Sequence, residues 1–393
     1  RLYNVNSQML RNVVTNNSGT YSFGNLPFAG SYTVEPNRND DPLNGVSTKD
    51  LVRIQRHLLG LDDIEDPYQL IAADVNNSAN ISAKDLVELR KLILGLYDSF
   101  EEIEASQRSW RFVVKNGGIA DPQNPWNFEE VENYEPLSTN RPNTDFVGVK
   151  IGDVDGNASG TLSAGTQSRT NGTLSLVAED VRYTAGDGVR VAITAENFDN
   201  IVGYQYTLHF DAASLRYADI ESGAVEVSEA NFGLNRLSEG TITTSWNAQE
   251  GVSADEVLYT VVFRATAAGQ LSGSLRVSGA VTTAEAYNVG GETKGVSLEV
   301  RNTDISSTYA LYQNNPNPFA GQTVISFTLP QAMEANVTIY DVTGKVLKLI
   351  EVDGVKGYNE VVVRSGELSA SGVLYYQLDT EDFTATKRMV VIK

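Results

Sequence analysis

The amino-acid sequence predicts a mainly β, multidomain protein in which β-sandwich or jelly-roll domains accompany one small α-helical module. Three observations carry this. Short stretches of alternating apolar and polar residues, bounded by turn residues, recur across 172–301 and again across 309–393, the pattern of antiparallel sandwiches. A loop-and-helix segment is repeated between residues 39 and 96, which marks a duplicated supersecondary unit. Finally, 393 residues suit two to four separate cores, and with no Cys in the chain none of them is held by a disulfide.

Residues 1–36 hold Gly19 to Pro27 and then Gly30-Ser31-Tyr32-Thr33-Val34, which read as hairpin strands. Two strands cannot bury a core alone, so the rest of that domain is expected upstream of Arg1. In the repeat, Asn44-Gly45-Val46-Ser47-Thr48-Lys49-Asp50-Leu51-Val52 returns as Ala79-Asn80-Ile81-Ser82-Ala83-Lys84-Asp85-Leu86-Val87. Leu51, Ile54 and Leu58, flanked by Val52 and Leu59, are expected to form one apolar helix face, and Gly60 and Gly95 stand where helices end. Residues 97–150 read as a loop-rich extension with one strand-like stretch, Trp110 to Val114. In 172–301, strands are expected at 173–177, 189–195, 203–210, 241–246, 257–265, 273–277 and 296–300. Val202, Tyr204, Tyr206, Leu208 and Phe210 share one face, with Gln205, Thr207 and His209 on the other. A linker, Asn302 to Thr308, leads to a last sandwich with strands at 323–329, 336–341, 346–352, 359–363, 373–378 and 386–392.

The formal net charge of −20 disfavours nucleic acid and anionic membranes and suits divalent cations. No apolar run is long enough for a membrane helix. Catalytic constellations are poor: the chain has two His, His57 and His209, and lacks zinc-ligand spacing, a nucleophile elbow and a phosphate loop. The expectation is therefore that it is not an enzyme. Trp126 and Trp246 could stack on sugar rings but read more simply as core or lid aromatics.

The best-defined chemical site is Asp74 to Asp85. Oxygen side chains stand at loop positions 1, 3, 5, 9 and 12 as Asp74, Asn76, Ser78, Ser82 and Asp85, with Asn80 at position 7 able to give a carbonyl, the EF-hand ligand spacing for calcium (Ca2+). The alternative is an Asn-rich surface turn. The first copy is degenerate: Asn39, Asp41, Gly45, Ser47 and Asp50 fill positions 1, 3, 7, 9 and 12, but Leu43 stands at position 5. A third acidic cluster, Asp153-Val154-Asp155-Gly156-Asn157, has no helix after it. It is expected either to fold back and complete the first site or to be a solvated turn.

The duplicated loop and helix, closed in each copy by Leu-Gly-Leu, resembles a type I dockerin over residues 37–158. That resemblance implies partner contacts at loop positions 10 and 11, here Thr48, Lys49, Ala83 and Lys84, and a cohesin-type partner. Residues 172–301 resemble a cohesin jelly roll through Gly203-x-Gln205-x-x-Leu208-x-Phe210-Asp211, and 1–36 resemble the end of a prealbumin-like or collagen-binding-B-type sandwich.

Residues 309–393 resemble the type A C-terminal sorting domain of type IX secretion cargo. Three ordered motifs carry this: Asn315-Pro316-Asn317-Pro318-Phe319, Tyr340-Asp341-Val342-Thr343-Gly344-Lys345, and the terminal Lys387-Arg388-Met389-Val390-Val391-Ile392-Lys393. The resemblance implies recognition by the outer-membrane translocon and a shuttle barrel, and a secreted or cell-surface location. Together these readings give a calcium-stabilised adhesin or scaffold. A non-catalytic tail of a secreted hydrolase, or a head-to-tail filament subunit, stays open beside it.

Overall fold

A computed structural model describes residues 1–160, 170–301, 309–314 and 316–392. The expected linker Asn302–Thr308, and Asn315 and Lys393 of the sorting motifs, lie outside the described residues.

The N-terminal strands β1 (Leu2–Asn4), β2 (Met9–Arg11) and β3 (Tyr32–Val34) find a sheet partner within the described residues. They form a sheet ordered β2-β1-β3-β5, whose last member β5 (Glu132–Tyr134) comes from the loop-rich extension. Residues 19–27 are not a strand; Tyr21, Phe23 and Leu26 instead cover Leu2, Tyr32, Val34 and Leu137 in a small core. A two-stranded antiparallel sheet, β4 (Trp110–Val114) with β6 (Phe146–Lys150), packs on the helices.

The helical module contains α1 (Thr48–Leu58), α2 (Pro67–Ala73) and α3 (Ala83–Ile93). Ser47 and Ser82 cap α1 and α3 through capping boxes closed by Asp50 and Asp85, and Gly60 and Gly95 follow the helices at φ +65° and +66°. Leu51, Ile54, Leu70, Ile71, Leu89, Leu92, Ile93, Phe100, Val113, Ile151 and Val154 make one core. Leu58 and Leu59, expected on the buried face, are 38% and 46% exposed because burial along α1 ends at Ile54 and its last turn stands clear.

The larger sandwich runs β7 (Thr173–Glu179), β8 (Arg182–Tyr183), β9 (Gly188–Glu196), β10 (Phe198–Phe210), β11 (Leu215–Ser222), β12 (Phe232–Gly233), β13 (Thr241–Ala254), β14 (Tyr259–Ala265), β15 (Gly269–Gln270), β16 (Leu275–Ser278), β17 (Glu285–Asn288) and β18 (Thr293–Arg301). Pairing is continuous in the order β11-β14-β9-β7-β18-β17-β10-β13-β12, with β16 on β10 and β7 parallel to β18. The two faces meet through Phe210 against Phe263 at 5.1 Å, Phe232 against Tyr259 at 5.7 Å, and a Tyr206–Tyr259 hydroxyl bond. The expected strand at 273–277 starts later, since Leu271–Ser274 form a single helical turn.

A bulge between Ile201 and Gly203 shifts the register of β10. It puts Ile201 with Tyr204, Tyr206, Leu208 and Phe210 in the core and turns Val202 to the opposite face, which corrects the alternation read from sequence. That opposite face is not solvated: Gln205 and Thr207 are 1% and 0% exposed.

The last domain stacks a sheet of β19 (Ala310–Leu311), β20 (Gln322–Leu329) and β23 (Gly357–Arg364) on one ordered β22-β21-β24-β25. The latter comprises β21 (Met333–Asp341), β22 (Val346–Gly354), β24 (Gly372–Asp379) and β25 (Thr384–Val391). All six strands expected there are present.

Phe263 is fully buried between the two faces of the larger sandwich. Phe263→Ala is expected to cost about 3–5 kcal/mol in urea unfolding, whereas Val289→Ala, at a side chain 54% exposed, should stay within about 0.5 kcal/mol of the parent.

Candidate metal centre and docking face

In the Asp74–Asp85 loop, α2 ends at Asp74 and α3 starts after Ser82. Asp74 Oδ1 accepts from Ser78 N at 2.8 Å and its Oδ2 from Ala79 N at 2.8 Å, which winds the loop around the carboxylate. Asn77 and Ala79 take left-handed conformations to allow it. Asp85, fully buried, closes the loop from the helix side: Oδ1 accepts from Asn76 N at 3.1 Å and Oδ2 from Ser82 N at 2.9 Å. Gln107 donates to the Asp74 and Val75 carbonyls and anchors the loop on the extension.

The same frame occurs a second time, built from two segments about a hundred residues apart in sequence. Asp153 Oδ1 accepts from Asn157 N at 3.1 Å and its Oδ2 from Ala158 N at 2.9 Å, repeating what Asp74 does. Asp50 Oδ1 accepts from Asp155 N at 3.1 Å and its Oδ2 from Ser47 N at 2.9 Å, repeating Asp85. Asn44 clamps the junction, donating to Ser159 O at 2.9 Å and accepting from Ser159 N at 3.0 Å. Gly45 passes so close that a Cβ on it would lie 2.7 Å from Ala158 Cα. Asp153, Asp155 and Asn157 thus stand in loop positions 1, 3 and 5, and Gly45, Ser47 and Asp50 in 7, 9 and 12.

Asn39 and Asp41, assigned from sequence to the first two of those positions, are elsewhere. Asn39 accepts from Ser109 N at 2.8 Å and donates to Glu101. Asp41 lies toward Lys150, whose ammonium is held by the Pro42 and Ile151 carbonyls. The cause is Leu43, which packs on the module core and so turns this stretch away from the acidic cluster.

One carboxylate oxygen from each of Asp50, Asp153 and Asp155 lies within 4.8 Å of the other two. Burial, followed by the charges of Asp155 and Asp153, pushes the Asp50 carboxyl well above its usual range. Burial likewise raises Asp153 to about 6 and lifts Asp74. Asp155 Oδ1 in the divided loop, and Asn76 Oδ1 in the continuous one, are buried without a hydrogen-bond partner. Like charges gathered out of water beside unpaired oxygens are costly unless a cation neutralises them. The oxygen-only donor set fits a hard divalent ion.

The face of the module nearest the divided loop meets the β10–β13 face of the larger sandwich. At the start of α1, Thr48 N donates to Gln205 Oε1 at 2.6 Å, Thr48 Oγ1 bonds Ser245 Oγ at 2.7 Å, and Val52 packs on Val202 and Tyr287. Asn247 links both helices, donating to Gln55 Oε1 at 2.7 Å and accepting from Arg90. At the end of α3 the carbonyls a helix leaves unpaired are each met: Ile93 O by Thr282 at 2.7 Å, Leu94 O by Thr243 at 2.6 Å, Gly95 O by Asn235 at 3.0 Å.

Among the residues expected to contact a partner, Thr48 lies in this interface. Lys49 instead pairs with Asp155 at 3.0 Å, and Ala83 and Lys84 are exposed beside Val87 on the other side. Gln205, Thr243, Ser245, Asn247 and Thr282 escaped the sequence reading. Their signal is an outward strand face rich in uncharged hydroxyl and amide groups, where a solvated face normally carries charge. Trp246 is stacked on Tyr204 at 5.1 Å in the core and cannot meet a sugar. His209 bonds Ser278 at 2.7 Å, and His57 Nδ1 accepts from Ile64 N at 3.2 Å.

In the last domain Phe319 is 2% exposed, and its backbone bonds Val390 O and Ile392 N; Val390 N also donates to Asn317 Oδ1. The Pro316-Asn317-Pro318-Phe319 motif is thus sewn to the C-terminal strand that carries Lys387 and Arg388, the edge of its sheet. Asp341 accepts from Thr343 N and Lys345 N and shapes the turn in which Gly344 takes φ +84°; Tyr340 stacks on Tyr375.

Residues 173–301 match the family model of the cohesin domain, and residues 314–393 that of the secretion system C-terminal sorting domain. No curated protein matches. Similar solved structures include a type I cohesin–dockerin complex from Clostridium thermocellum at 15% identity, covering 33% of this chain and 99% of that one, with a TM-score of 0.26. The seventh ScaB type I cohesin from Pseudobacteroides cellulosolvens follows at 19% identity, 33% and 93% coverage and a TM-score of 0.26. A non-cellulosomal cohesin from the archaeon Archaeoglobus fulgidus matches at 20% identity, 32% and 86% coverage and a TM-score of 0.24. No helix among the described residues is long and apolar enough to cross a membrane. The chain carries two non-catalytic modules, a cohesin domain and a type IX sorting domain, and is a protein exported to the cell surface or beyond it.

Proposed function

We propose that the protein is a cell-surface adhesin or scaffold component whose dockerin-like module, residues 37–158, binds two calcium ions and serves protein–protein association. The carrying observation is the repetition of one hydrogen-bond frame around Asp74 and Asp85 and again around Asp153 and Asp50, each with a buried side-chain oxygen lacking a partner. In the continuous loop Asp74, Asn76, Ser78, Asn80, Ser82 and Asp85 would hold one ion. In the divided loop Asp153, Asp155, Asn157, Gly45, Ser47 and Asp50 would hold the other. Bound calcium supplies positive charge where buried carboxylates would otherwise repel, and so keeps the short helices in place in a module without disulfides. Export through residues 309–393, read by the translocon and a shuttle barrel, delivers the protein to a calcium-rich exterior.

Calorimetric titration should find two sites, the tighter being the divided loop with three carboxylates rather than two. Asp153→Ala should leave one; unchanged stoichiometry and affinity would overturn the assignment. Chelation should melt the α1 and α3 signals in circular dichroism while both sandwiches survive; an unaltered helical signal would refute this.

In chelator, the buried carboxyls of Asp50 and Asp153 should make stability fall as pH rises over the acidic range. Asp50 and Asp153 have carboxyls raised above their unfolded values by burial, so the folded state holds more protons; the stability Asp153 allows is fully present below its unfolded value and lost as pH rises through about 6, and Asp50 acts in the same direction. Amide exchange in α1 of the metal-free protein should therefore be faster at pH 6.5 than at pH 4.5 after correction for intrinsic rates. Saturating calcium should abolish that difference.

A further inference from the structure

We infer that the cohesin domain's β10–β13 face is filled by the helical module of its own chain, and that closure of the divided acidic loop is the latch that keeps it filled. The calcium part rests on the proposed function above; occupation of the face does not.

The interface has the marks of a resident contact. Strand positions that face outward, Gln205, Thr207, Thr243 and Ser245, are all buried, and the side chains of Gln205, Thr243 and Ser245 bond the module. Both ends of the helical pair use the sandwich to satisfy backbone groups, the first N–H of α1 and the last carbonyls of α3. Gly203 and Gly233 let the module approach: a Cβ would stand 3.1 Å from Thr48 Cγ2 at Gly203 and 2.6 Å from Leu94 O at Gly233.

The latch follows from chain order. Thr48, which bonds Gln205 and Ser245, lies between Ser47 and Asp50, two residues of the divided loop. The loop's other half, Asp153 to Ser159, opens the connection to the cohesin domain, leaving only Gly160 to Thr170 between Ser159 and Asn171. Eleven residues span at most about 40 Å. A connection so short makes the docking intramolecular, so a competing partner has to displace a contact that dilution does not weaken. Opening the divided loop frees Asp153 to Ser159 from Asp50 and Asn44, lengthens the tether, and releases the start of α1 from its frame.

The test uses the full chain carrying Thr48→Cys and Ser245→Cys, whose wild-type oxygens are 2.7 Å apart. The chain has no other Cys, so any disulfide reports this pair. In calcium, mild oxidation should give an internal disulfide in monomers, formed at least about tenfold more slowly after chelation. Covalent dimers as the main product would show that a second copy fills the face, and absence of any disulfide in calcium would overturn the docking. An unchanged rate after chelation, with calorimetry still reporting bound calcium, would overturn the latch and leave the calcium sites standing. No bound calcium in calorimetry would overturn the latch together with the calcium sites and leave occupation of the face to the disulfide. The unmodified chain gives an independent reading: Tyr287, 1% exposed beside Val52, should gain hydroxyl-radical oxidation severalfold on chelation, and constant protection would likewise overturn the latch.

Discussion

The carboxylate of Asp50 is the contact on which the helical module depends. It is fully buried, it closes the cap of α1 through Ser47, and it receives the backbone of Val154 and Asp155 from the far end of the module. One side chain thereby fixes where α1 begins, how the chain returns after β6, and which residues of α1 face the cohesin domain. A group in this position does not act through its own interaction energy alone, since leaving its partners unmatched would strand several buried N–H groups together.

Much of the sandwich architecture was legible because period-two alternation survives wherever one face of a strand meets a core. The last domain shows this best, with its expected strands present from β20 to β25. Alternation failed at Val202 for a local reason, the bulge that resets register between Ile201 and Gly203. It also misled at Gln205 and Thr207, where polar character was read as exposure although another domain covers them. Residues 19–27 misled in a related way: Tyr21 and Phe23 alternate like a strand but bury their rings as a lid over β1 and β3.

The continuous acidic loop could be read from spacing because all its residues are consecutive. Of the divided loop, spacing alone recovered the half that precedes α1, and it placed Asn39 and Asp41 where Asp153 and Asp155 stand. No local rule predicts that a segment without a following helix supplies the first half of a loop whose helix lies a hundred residues earlier. The clue was chemical: an alternating Asp-x-Asp-x-Asn run lacking its own helix, and a helix cap with Leu43 where an oxygen should be.

The clamp of Asn44 on Ser159 has a mechanical consequence. The polypeptide comes into the helical module and leaves it at one point, so a pull along the backbone between residues 44 and 159 is met first by Asn44, Ser159 and the Asp50 carboxylate. Force would be resisted in shear by short polar contacts at a single knot, and the cylinders behind it would stay folded until that knot gave way.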